Sequence, residues 1–319
     1  MIQRILVLGG TGFVGRATCE RLIERSGAAA GRIVVPTRRA QHGNAVRSLP
    51  TLDVVPANVH DDAQLARLVA QADAVINLVA ILHGSEAEFQ RVHVELPRRL
   101  AAACQLAGVK RVLHVSALGV GPGAPSRYLR SKTEGEAVLR AAGLELTILR
   151  PSVIFGAEDR FLNVFAGLLA LAPLVPLACA DALFQPVWVE DVASALACAL
   201  DQPSSIGQII ECTGPGQFTL ADLVRAAGRW SGHPRPVLPL PAALGRLQAM
   251  LMELAPGTPL MSRDNLDSMR VPNVASGMLP GLASLGITAT PLDAVAPGYL
   301  GRSHGRARLE RWRGGVRRD

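Results

Sequence analysis

The feature that most constrains this chain is a run of glycines placed directly after an apolar segment. Residues 2–8 read IQRILVL and lead at once into Gly9-Gly10-Thr11-Gly12-Phe13-Val14-Gly15. The apolar run reads as a buried strand, and helical spacing takes over from Gly12 to about Arg25. Gly9, Gly12 and Gly15 form the pattern GxxGxxG. In a strand–turn–helix unit the first glycine permits the tight turn. The second lets the backbone approach a pyrophosphate, and the third lets the helix pack closely on the strand. The helix start then offers free N–H groups and the positive end of its dipole to phosphate oxygens. The competing reading is a glycine-rich turn that binds nothing. Its position between a strand and a helix favours a dinucleotide fingerprint.

The rest of the chain supplies the scaffold such a turn requires. Strands are expected at Ile33–Pro36, around Val54 and Val55, at Ala74–Val79, Val112–Val115 and Glu145–Leu149. Helices are expected from Asp61-Asp62 to about Ala70, at Leu96–Ala107 and at Arg130–Ala142. This alternation implies βαβ units and a doubly wound parallel sheet of the Rossmann type, an α/β fold. After Pro151 the pattern changes. Helices are expected at 161–172, 189–200, 220–230 (N-cap Thr219, with Asp222 at N3) and 243–254, and a strand at 207–212. The remainder to residue 300 reads as loop-rich. The expected division is a core of residues 1–155 with 186–213, a smaller and mostly helical cap of 156–185 with 214–300, and a basic tail of 301–319.

The end of the second strand bears on cofactor choice. An NAD-binding fold places Asp or Glu about 20 residues beyond the glycines, on the ribose 2′-hydroxyl. Here the segment is Pro36-Thr37-Arg38-Arg39. It lacks an acid that would repel a 2′-phosphate, and it offers two guanidiniums. NADP(H) is therefore favoured over NAD(H), the alternative being that Arg38 and Arg39 are a solvated loop. A second constellation follows the fifth strand. Tyr128 and Lys132 stand four apart, on one face of a helix. A Lys ammonium beside a phenol lowers its pKa, so the phenol can act as general acid or base. Elsewhere a Tyr–Lys pair at this spacing is an ordinary surface feature; behind a dinucleotide fingerprint it reads as catalytic.

Taken with Leu149-Arg150-Pro151-Ser152-Val153-Ile154-Phe155-Gly156, these motifs resemble the short-chain dehydrogenase/reductase superfamily, in its extended or atypical, epimerase/dehydratase-like branch. The segments YLRSKTEGE (128–136), QPVWVED (185–191), MSRDNLDSMRV (261–271) and PLDAVAPGYL (291–300) are more specifically similar to the NADPH-binding accessory subunits of respiratory complex I, the alpha-subcomplex subunit nine family, and their bacterial relatives. The resemblance covers nearly the whole chain. It implies a C-terminal region over the active-site cleft. It also implies that Gly9, Thr11, Gly12, Phe13, Val14 and Gly15 hold the pyrophosphate and that Arg38, with Arg39, meets the 2′-phosphate. Asn58 and Val59 would lie near adenine; Leu78, Val79 and Ala80 would line the cofactor; Pro151 and Val153 would pass near the nicotinamide. Tyr128 would move the proton, Lys132 would tune it, and both would touch the cofactor. Active members carry Ser or Thr beside the substrate carbonyl at the end of the fifth strand. In His114-Val115-Ser116-Ala117 either Ser116 fills that role or the position falls on Ala117. The resemblance thus leaves two functions: an oxidoreductase or epimerase acting on a hydrophobic or quinone-related (ubiquinone-like) substrate, or a non-catalytic NADPH-binding accessory or assembly subunit of a respiratory or membrane-associated complex.

Composition narrows the remaining classes. The five cysteines, at 19, 104, 179, 198 and 212, form no CxxC pair, so neither a zinc site nor a disulfide framework is expected. His83, His93 and His114 have no metal spacing and read as structural or surface residues. Glu190 and Asp191 read as helix-start acids. The formal charge is +7, of which residues 301–319, with seven arginines against Glu310 and Asp319, hold +5. Such a tail suits an acidic protein partner or an anionic membrane surface, or merely solubilises; it lacks the interleaved aromatics of a nucleic-acid platform, and no nucleic acid is expected. The opening residues run straight into a strand, so the expected location is cytoplasmic or peripheral at the inner face of the cell membrane. The apolar helices at 161–172 and 243–254 are expected to be core, with a contact to a membrane or a quinone-like tail as the lesser alternative.

Overall fold

The computed structural model describes residues 2–26, 31–254 and 259–301. The arginine-rich tail lies outside the described residues. The chain divides into two compact units. The first comprises residues 1–152, 189–213 and 275–289; the second comprises 153–188, 214–274 and 290–319.

The first unit is built on a seven-stranded sheet. Its strands are β1 (Arg4–Leu8), β2 (Arg32–Thr37), β3 (Leu52–Pro56), β4 (Ala74–Asn77), β5 (Arg111–Val115), β6 (Glu145–Pro151) and the edge strand Ile209–Cys212. In space the order is β3, β2, β1, β4, β5, β6, edge strand, and each pair is parallel. Parallel strands covered on both faces become continuous apolar runs rather than alternating ones, and Ile5-Leu6-Val7-Leu8 and Ile33-Val34-Val35 are buried throughout. One face packs on α2 (Asp62–Val69) and the helices Leu96–Ala107 and Arg127–Arg140, through Leu65, Val69, Leu100, Cys104 and Leu139. On the other lie α1 (Phe13–Ser26) and the helix Val189–Asp201, packed on each other. The order reverses between β1 and β4. That crevice, outside the carboxyl ends of the strands, is where open α/β sheets take ligands.

The second unit has its own core, in which Phe155, Phe165, Leu169, Phe184, Leu220 and Leu223 meet. Its helices are Leu162–Leu171, Leu220–Ser231, Ala242–Leu254, Arg263–Ser268 and Leu292–Leu300. Thr219 caps the second of these as its sequence implies: its side chain accepts from Asp222 N–H, and Asp222 reaches back.

One expectation is refined here and one fails. Residues 259–300 are rich in loop but also hold two helices. Arg263–Ser268 is a short helix begun by a Ser262/Asn265 capping box, and Leu292–Leu300 is helical despite Pro297 within it. The helix Ala242–Leu254 is not simply core: it buries Gly245 and Ala249 and turns its leucines outward. Small residues allow close packing, so the inner face is the one without bulk.

The β1–α1 junction depends on missing side chains. Gly9 has φ +83°, and a Cβ there would lie 3.1 Å from the Leu78 carbonyl carbon. A Cβ on Gly15 would sit 2.3 Å from Gly9 O and 2.5 Å from Gly10 Cα, both backbone atoms. Replacing Gly15 by Ala is therefore expected to force α1 off the strand and destabilise the fold by about 2–3 kcal/mol, read as a lowered urea midpoint. An unchanged midpoint would show that the contact can relax.

Candidate dinucleotide and acid–base site

The anticipated residues of the first unit gather along one edge, because each follows the carboxyl end of a parallel strand. The glycine turn follows β1, Arg38 and Arg39 follow β2, and Asn58 and Val59 follow β3. Leu78, Val79 and Ala80 follow β4, Ser116 follows β5, and Pro151 closes β6. Gly9 and the 78–79 backbone are neighbours, since a Cβ on Gly9 would also come within 3.2 Å of Val79 N. Thr11, Phe13 and Val14 are partly exposed. Arg38 and Arg39 are exposed, and Thr37 Oγ1 accepts from Arg39 N–H at 3.3 Å, shaping the bend beyond β2. Asn58 is exposed and Val59 half-buried; the Asn58 side chain accepts from His60 N–H and so serves its own loop. Pro151 is buried, and its carbonyl accepts from Leu118 N–H at 3.0 Å. Val153 falls in the second unit, where its N–H donates to Asn273 Oδ1.

The helix bearing Tyr128 and Lys132 starts at a buried cap, Ser126, whose hydroxyl accepts from Leu129 N–H. Lys132 is 2% exposed, and its ammonium donates to Val115 O at 2.7 Å, the last carbonyl of β5. Burial lowers its pKa to about 8, opposed by the nearby Glu136 carboxylate. Glu136 itself accepts a two-pronged bond from Arg150, at 2.9 Å from Nε. Such a fully bonded pair lets a carboxylate stay charged inside.

The phenol does not behave as its spacing implies. Burial pushes Tyr128 up to about 12, and the ammonium expected to lower it is directed at Val115 O. Desolvation has won over charge stabilisation. Tyr128 thus keeps its proton. Its ring stands edge-on to Phe89 at 6.2 Å and to His93 at 5.5 Å.

Two histidines complete the site. His93 lies in a π-helical stretch, Gln90–Glu95, between the helices Glu86–Phe89 and Leu96–Ala107. Its Nε2 accepts from Ile81 N–H at 3.1 Å, so the proton must sit on Nδ1, which donates to Ser131 Oγ at 2.8 Å. Ser131 in turn donates to Tyr128 O at 2.8 Å. His114 is bonded through Nδ1 to Asn77 Nδ2 at 3.2 Å, while Asn77 Oδ1 accepts from Val79 N–H. The remaining His114 nitrogen, Nε2, and the Ser116 hydroxyl are both buried and lack a partner among the described residues. Ala117 packs with Leu129 and Tyr128. The Ser116 oxygen is thus available for a further bond, whereas a substrate-facing position at Ala117 would leave the site without that hydroxyl. Sequence spacing had no signal for His93 and His114, because strand pairing and a π-turn bring them in.

Burial, followed by the nearby Lys132 charge, lowers His93 to about 3. The sign follows from linkage. Between about pH 3 and 6.5 the unfolded chain binds the proton that folded His93 refuses. Its contribution is therefore present above pH 6.5 and lost as pH falls toward 3, at up to about 1.4 kcal/mol per unit. His93→Gln should flatten the fall in stability measured by urea melts between pH 7 and 4.5. An equally steep fall in the variant would place the acid sensitivity elsewhere.

The sequence model described as the NAD dependent epimerase/dehydratase family matches residues 5–212. Among curated proteins, the mouse (Mus musculus) mitochondrial NADH dehydrogenase [ubiquinone] 1 alpha subcomplex subunit 9 is 33% identical over 317 residues, covering 96% of this chain and 81% of its own length. A ceramide reductase of Caulobacter vibrioides is 27% identical, covering 74% of this chain and 73% of its own. Among solved structures, an NADPH-dependent quinone oxidoreductase of Escherichia coli complexed with NADPH superposes with a TM-score of 0.74 at 22% identity, covering 91% of this chain and 97% of the other.

Proposed function

From a chain that belongs to the NAD dependent epimerase/dehydratase family, we propose an NADP(H)-dependent oxidoreductase or epimerase-like protein acting on a hydrophobic or quinone-related carbonyl compound. The observation that carries this reading is the glycine turn at the sheet's reversal point, where a side chain on Gly9 or Gly15 would strike backbone. That cradle fits a pyrophosphate at the start of α1. Gly9, Thr11, Gly12, Phe13, Val14 and Gly15 would hold it; Arg38 and Arg39 would take the 2′-phosphate; Asn58 and Val59, Leu78 to Ala80 and Pro151 would line the rest. The bound nicotinamide would supply or accept a hydride. Tyr128, held protonated, would donate its proton to a substrate oxygen, and Ser116 would orient that oxygen with its uncommitted hydroxyl. Lys132, which donates one N–H to Val115 O, would use another to stabilise the phenolate as it forms.

Titration calorimetry tests the cofactor part. NADPH is expected to bind at least about tenfold tighter than NADH, and Arg38→Ala to remove most of that difference. Equal affinities would defeat the 2′-phosphate assignment. For the chemistry, Tyr128→Phe should cut turnover about a hundredfold or more while leaving NADPH affinity within about twofold.

A second reading is favoured by the 33% identity to a complex I subunit over 96% of this chain. Here the dinucleotide stabilises a protein that docks on a respiratory or membrane-associated complex. Its mark would be normal NADPH binding with no turnover on any quinone or ketone, together with co-migration with the complex on native gels.

A further inference from the structure

Among the described residues no helix is long and apolar enough to cross a membrane. One, however, turns an apolar face outward. The helix Ala242–Leu254 packs inward through Gly245 and Ala249, both buried, and a Cβ on Gly245 would approach Ala178 Cβ to 2.7 Å. Ala178 and Ala249 form a small cluster with Leu266, flanked by Cys179 and Met261. The bulky side chains point the other way. Leu244, Leu247, Leu251 and Leu254 are 52%, 48%, 59% and 76% exposed, and Met250 stands beside them, also exposed. At 100° per residue these five span one continuous arc opposite the packed face. An ordinary surface helix has this pattern reversed, with leucines inside and polar residues out.

The two charges on this helix lie off the stripe, and each is engaged. Arg246 donates to Asp267 Oδ1 at 3.1 Å; Glu253 accepts from Arg263 N–H at 2.7 Å and from its Nε at 2.8 Å. The stripe thus contains no acid that would oppose an anionic surface. Nor does it hold the Trp, Tyr or Arg anchors that concentrate in protein–protein interfaces. The positive excess of the chain follows the last described helix of the same unit. Seven arginines stand in the eighteen residues after Gly301. An aliphatic helix face gives reversible attachment to lipid, and a polybasic segment supplies the second signal that makes it stable.

We propose that this protein attaches to anionic lipid bilayers, with Leu244, Leu247, Met250, Leu251 and Leu254 seated in the interface and the arginine-rich tail drawing the chain to the charged headgroups. The attachment uses none of the residues assigned to the dinucleotide, so the two readings can fail independently.

The test is vesicle flotation of the full chain. Vesicles of phosphatidylcholine with about one third phosphatidylglycerol should carry it, and pure phosphatidylcholine should carry at least about tenfold less. The double variant Leu247→Glu/Leu251→Glu should lose about tenfold or more of the partitioning, with NADPH affinity and urea midpoint unchanged. Truncation after Gly301 should also weaken partitioning and remove its salt dependence. Equal flotation of wild type and double variant would overturn the proposal, as would equal binding to both vesicle types. So would a concentration-dependent dimer that the double variant abolishes in a chain that ignores vesicles, since the stripe would then meet a second copy. Capture by a purified respiratory complex but not by protein-free vesicles would overturn it in favour of a protein partner.

Discussion

The distance between α1 and the end of β1 governs much of what this chain can do. At Gly15 the helix comes so near the turn that a single added carbon would lie 2.3 Å from the Gly9 carbonyl oxygen. That proximity brings the helix's positive end to the sheet edge, where every other candidate group of the first unit also arrives. The edge is shared because the strands are parallel, and parallel pairing in turn requires helices on both faces. A dinucleotide site here is thus a consequence of one steric exclusion repeated through the topology.

Beneath that edge the molecule manages charge by burial. Lys132, Glu136 and Arg150 lie in or near the interior, with Glu136 and Arg150 joined by two bonds and the Lys132 ammonium on a backbone carbonyl. An uncompensated charge in such a place costs about 3–5 kcal/mol. The neighbouring histidines stay neutral for the same reason, as burial and the Lys132 charge both oppose a second cation. Tyr128 feels this low-polarity setting most directly. Its proton is hard to remove until something at the edge changes the local field.

Fold and glycine turn could be read from the chain because local rules decide them: uninterrupted apolar strands, helical periodicity, a Thr219 cap with Asp222 behind it. The spacing of Tyr128 and Lys132 was equally legible, but the state of the phenol was not. Periodicity shows which residues share a face, whereas a pKa depends on what surrounds them in three dimensions. His93 and His114 read only as structural or surface residues, because one is placed by a π-helical stretch and the other is brought beside Asn77 by strand register. The helix Ala242–Leu254 shows the limit of hydrophobic patterning. Its leucine face looks like core, yet a glycine and an alanine won the inward position because they fit against Ala178.

The bonds from Ile81 through His93 and Ser131 to the Tyr128 carbonyl tie the loop after β4 to the first turn of the helix Arg127–Arg140. Loop and helix therefore share one mechanical frame. Position 93 must accept a proton at one end and give one at the other, which neutral imidazole does across a span few side chains match. The constraint on inheritance is pairwise: a change at 93 alters what 131 must supply to keep the link, so the two positions are expected to drift together among descendants of this sequence.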